Sequence, residues 1–366
     1  MCNRSPLGEI GMFLQHEYFS LAQGYELFQE QFLTARLATE PLDEIGKFTH
    51  RIQQAPSLGD RYPGRGRVLA ADVFDRLATV DLSERIASND LQQFALLLHN
   101  AVSVDVSYAA RLISPLAQPE IVQAAFKKSS IGSIQMLIYN LYTVTNRDPK
   151  YVQSMRQALQ NTNLNAQLGK ATLREIGFFL WNVYAFIDQS LAQESCKVVD
   201  GQPKSHQLEQ ASLSDLCFFL WNITSVSNAP GLQVLDDPVT EKRLATAWTK
   251  EIGLGAVLLG IISFVRPTIV ADISLPPISS QAQKEHLTSW FTTSAEGQNP
   301  YMLALALCGL RISNEEAAQA IVRARLPVTN ALQLLKSARP SAITPRSILL
   351  MEETIEWLGR LTSEGK

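Results

Sequence analysis

Two ten-residue segments whose starts lie 40 residues apart are near copies of each other: Leu173-Arg-Glu-Ile-Gly-Phe-Phe-Leu-Trp-Asn182 and Leu213-Ser-Asp-Leu-Cys-Phe-Phe-Leu-Trp-Asn222. Self-similarity at a fixed period of 20–50 residues is the mark of a repeat architecture, in which each unit buries its apolar face only against its neighbours. The frame recurs in Leu91-Gln-Gln-Phe-Ala-Leu-Leu-Leu-His-Asn100 and Ile131-Gly-Ser-Ile-Gln-Met-Leu-Ile-Tyr-Asn140. Weaker copies begin at Leu7, Leu42 and Leu254, so the steps between starts are 35, 49, 40, 42, 40 and 41 residues. The long second step contains the Gly-, Pro- and Arg-rich stretch Ala55 to Gly66, read as a loop.

Counting the first residue of a copy as position 0, apolar or small residues fall at positions 0, 3, 4, 7 and 10, one face of a 3.6-residue helix. In one copy these are Leu173, Ile176, Gly177, Leu180 and Val183. Positions 5, 6 and 8 are usually apolar as well, as Phe178, Phe179 and Trp181 show. A helix apolar nearly all round is expected to be covered on both sides. Covering helices are expected at Ser107 to Ser114, Tyr151 to Leu159 (opened by Asp148-Pro149) and Asp188 to Lys197, with third segments at Glu120 to Lys128 and Thr240 to Ile252. Two or three helices per period of about 40 residues is the spacing of HEAT and armadillo arrays. The expected fold is therefore all-α: a right-handed α-solenoid of about seven degenerate repeats, with no β pattern of useful length.

Ser274 to Gln281, with Pro276-Pro277, interrupts the array, because proline removes a donor and disfavours helix in the residue before it. This divides the chain into a repeat region, 1–273, and a helical C-terminal cap region, 274–366. In the latter Asn314 is expected to cap Glu315 to Ala324, and Thr344-Pro345 to open a last amphipathic helix through Leu350, Ile355 and Leu358.

Composition narrows the functional classes. With 366 residues, 46% apolar and 18% charged, the chain has the balance of a folded protein. A net charge of −3 gives no general attraction to phosphate backbones, so no nucleic-acid partner is expected. Cys2, Cys196, Cys217 and Cys308 lie far apart with no CxxC pair, which suits a reducing compartment. Met1 to Pro6 shows no basic n-region followed by an apolar stretch, so no signal peptide is expected, and the longest apolar run, Ile252 to Val265, is too short to span a bilayer. A cytoplasmic protein is expected. A lipid-surface role for Ile252 to Val265 would require exposure, whereas the repeat frame predicts burial.

No phosphate loop, dinucleotide fingerprint or metal-ligand spacing is present: Gly169-Lys170-Ala171-Thr172 lacks the earlier glycine of a Walker motif, and Gly253-Leu-Gly255 follows no strand. No cofactor or catalytic residue is assigned. His99 shares position 8 with Tyr139, Trp181 and Trp221, and Cys217 replaces the small Gly177, so both read as packing variants. The candidate binding residues are Asn100, Asn140, Asn182 and Asn222, all at position 9, beside Tyr139, Trp181 and Trp221 at position 8. Such an asparagine ladder either satisfies backbone groups of the fold or lines a groove and grips an extended peptide. Arg61, Arg65 and Arg67 form a local basic cluster that either meets an acidic partner or is simply solvated.

The motif LxxIxxFLWNI, seen in Leu173 to Val183 and Leu213 to Ile223, with the lead-in Val80-Asp-Leu-Ser-Glu-Arg-Ile86, resembles the degenerate α-helical repeats that follow the nucleotide-binding domain of some bacterial STAND (NLR-like) proteins. The resemblance covers roughly Leu7 to Ile273 and implies a sensor or scaffold portion. That family's nucleotide-binding motifs are absent here, so no ATPase residues carry over. Solenoids expose long surfaces and are used for binding more often than for chemistry. The expected function is a non-enzymatic module for a protein or peptide partner, the alternative being a helical enzyme or accessory subunit with a site assembled from scattered residues.

Overall fold

The computed structural model describes residues 6–15, 30–54, 65–202, 204–227, 232–265, 275, 278, 281–295, 299–313, 315, 318–319, 322–323, 328–339 and 344–363. Among them every regular element is helical and none is a strand. No helix is long and apolar enough to cross a membrane among the described residues. The chain divides into two compact units, one of residues 1–171 with 186–191, the other of residues 172–185 with 192–366. The units thus part inside the repeat region and not at the proline-rich stretch. Pro276, Pro277 and Asn314 lie outside the described residues.

In the first unit the copies at Leu7, Leu42, Leu91 and Ile131 form α1 (Leu7–Gln15), α3 (Leu42–Gln54), α6 (Leu91–Val104) and α9 (Ile131–Thr145). Each packs side by side on the next. They are interleaved with α2 (Glu30–Thr39), α4 (Arg65–Leu77), α5 (Ser83–Ser88), α7 (Val106–Leu112), α8 (Pro119–Phe126), α10 (Pro149–Gln160) and α11 (Asn165–Lys170). From α3 onward this gives three helices per copy: a long first one, a second that packs on it, and a short third. The starts are locally encoded. The Asp148 carboxylate accepts the Lys150 N–H at 3.0 Å, with Pro149 in the first turn of α10. Asp90 and Ser130 cap α6 and α9 from the residue before position 0.

The second unit holds α12 (Leu173–Asn182), most of α13 (Gln189–Asp200), α14 (Ser205–Gln210), α15 (Leu213–Ser227), α16 (Gln233–Asp236), α17 (Pro238–Lys250) and α18 (Ile252–Val265). After these come α19 (Gln281–Ala295), α20 (Pro300–Ser313), α21 (Val328–Ala338) and α22 (Pro345–Ser363). Here α12 packs on α15, α15 on α18, and α18 on α20. Thr172 and Glu175 form a reciprocal capping box at α12. The apolar helix α18 is enclosed by α15, α17, α19 and α20 and is buried along nearly its whole length. The expected last helix opens at Pro345 as α22 and packs on α20, α21 and α15. The cap region is therefore continuous with the core of the repeats at α15 and α18.

The tightest contact is between α18 and α20. A Cβ at Gly260 would overlap the Leu305 carbonyl, and one at Gly309 would overlap the Ala256 carbonyl. Backbone meets backbone here, and only hydrogen fits. Gly260→Ala and Gly309→Ala are each expected to lower stability by about 1–3 kcal/mol through overpacking. Gly359→Ala, whose Cβ would meet nothing within 4 Å, should be neutral or slightly stabilising, all three variants being compared by urea titration.

Candidate functional site

At roughly 100° per residue, a first helix has distinct sides for its neighbours. Position 4 faces the following copy, and where it is glycine the helices approach closely. A Cβ on Gly11 would lie 3.1 Å from the Phe48 Cα, one on Gly46 3.7 Å from the Leu97 Cα, and one on Gly177 3.3 Å from the Phe219 Cα. In each pair the partner atom belongs to position 6 of the next copy. Position 9 lies on the same side as position 6 and so faces backwards.

That placement decides the role of the asparagines. The Asn100 Nδ2 donates to the Gly46 carbonyl at 2.9 Å, and the Asn140 Nδ2 to the Ala95 carbonyl at 2.8 Å. Gly46 and Ala95 both occupy position 4 of the preceding copy. Each carbonyl has a second lone pair beyond its intrahelical bond, and the amide takes it. Asn140, Asn182 and Asn222 are buried, at 3–4% exposure. The Asn222 Nδ2 donates at 2.8 Å to the Phe218 carbonyl of its own helix, and the Phe218 ring lies against Gly177. Of the two readings of the ladder, the bonds at Asn100 and Asn140 support the one in which the side chains satisfy backbone groups of the fold. At positions 100 and 140 the amide stitches one helix to the previous one, and the other two asparagines are buried within the repeat packing.

Arg61 and the side chain of Arg65 lie outside the described residues, while Arg65 and Arg67 stand in the first turn of α4 and not in a loop. The Arg67 guanidinium donates to the Ser103 and Val104 carbonyls at 3.3 and 3.4 Å, finishing the C-terminus of α6.

The aromatic positions divide. Tyr139 is 54% exposed, Trp181 is half-buried, and Trp221 is buried. One turn earlier, position 5 carries Leu96, 38% exposed, and the half-buried Met136, Phe178 and Phe218. In the copies at Leu91 and Ile131 positions 5 and 8 form a partly exposed stripe, whereas Trp221 is buried and the last copy, α18, is covered nearly all round. In the first unit this stripe brings Leu96 and His99 of α6 beside Met136 and Tyr139 of α9, helices that pack side by side. The signal was present in the sequence, since apolar residues at both positions form a second, narrower face three residues apart.

Other chemistry is sparse. Two small cavities, one beside Tyr142 and Phe186 and one beside Cys308 and Trp357, each have a volume of about 10 Å³, about the room one water needs. Among the described residues no group of three His, Cys, Asp or Glu side chains could hold a metal ion. Burial pushes the Cys196 and Cys217 thiols up to about 12. Comparison with family models, curated proteins and solved structures finds no match to this chain.

Asn140→Ala leaves a buried carbonyl short of its second donor and opens space, and is expected to lower the unfolding free energy by about 1–3 kcal/mol in urea. Both buried thiols are protonated at pH 8. Their reaction with iodoacetamide is therefore expected only through opening, accelerating in step with denaturant. Fast labelling of the native chain at either cysteine would contradict the burial.

Proposed function

We propose that the chain is a protein-interaction module, a degenerate HEAT/armadillo-like α-solenoid of about seven repeats that binds a protein or peptide partner without chemistry of its own. The observation that carries this reading is the stripe at positions 5 and 8. Large apolar side chains normally lie inside, and their clustering on a surface marks an interaction site. Leu96, Met136 and Tyr139 cluster in this way on two adjacent helices. Successive helices set such side chains about 8–10 Å apart, a spacing that an extended or helical partner can follow from copy to copy. Packing of each first helix on the next within both units, together with the recurring hydrogen bonds, supports the solenoid reading. The resemblance to STAND-associated repeats would make the module a sensor or scaffold portion.

The test is site-specific photo-crosslinking from position 139, with a photoreactive phenylalanine analogue in place of the tyrosine, followed by affinity measurement on the captured partner. Leu96→Ser with Tyr139→Ser should weaken binding at least about tenfold, or ~1.4 kcal/mol. Each exposed substitution should change stability by less than about 0.5 kcal/mol. A partner whose affinity ignores both substitutions would remove this stripe as the binding surface.

A further inference from the structure

We draw no further inference here: the strongest candidate, the half-buried aromatic patch of Phe178 and Trp181 on α12 and Phe218 on α15, is an apolar face, and nothing in the structure shows what covers it.

Discussion

Glycine at position 4 brings three pairs of successive first helices into close contact, and much of the arrangement follows from that distance. With Gly11 against Phe48, Gly46 against Leu97 and Gly177 against Phe219, neighbouring backbones approach closely enough for one side chain to bridge them. At Asn100 and Asn140 a short amide then reaches a carbonyl of the previous helix. A larger residue at position 4 would push the helices apart and leave buried polar groups unmatched, a cost of a few kcal/mol per group. The same close approach consumes two sides of each helix, and the covering helices consume a third. In the copies at Leu91 and Ile131 this leaves the stripe at positions 5 and 8, so the candidate interaction surface there is what the packing does not use.

A second set of bonds completes helix ends across copies. Glu40 accepts the Leu7 N–H, and Ser129 the Leu91 N–H, both at 2.9 Å and both from two residues before the next first helix. Arg85 donates to the Leu37 carbonyl at the end of α2, Gln167 to Phe126 at the end of α8, and Arg243 to Leu208, Glu209 and Ala211 at the end of α14. Helices as short as α5, α11 and α14 have little intrinsic stability, and for α14 the neighbouring copy supplies the missing terminal partners.

Periodicity made the helices legible, because burial of positions 0, 3, 7 and 10 is a one-dimensional pattern. Asp148-Pro149 and Thr344-Pro345 marked helix starts through local chemistry, which needs no knowledge of the fold. The asparagines were legible as a ladder but not in their role. Whether position 9 faces a neighbour or a groove depends on which side the next helix packs, and that is a three-dimensional choice. Likewise Trp181 and Trp221 have the same sequence context and differ in burial, Phe264 and Tyr301, the latter eighty residues after Trp221, standing against one of them. The division between units at 171 and 172 leaves no compositional trace, since Ala171 and Thr172 belong to an ordinary helix start.

The direction of these bonds has a consequence for how the chain is made. The side chains of Glu40, Arg85, Asn100, Ser129, Asn140, Gln167 and Arg243 all reach back to backbone that precedes them in sequence. As the polypeptide leaves the ribosome, each such helix emerges with bare ends and an open flank, and it is completed only when the next copy arrives. At these ends translation order and assembly order coincide, while Arg67, which donates forward to the Ser103 and Val104 carbonyls, is satisfied only by a helix made later.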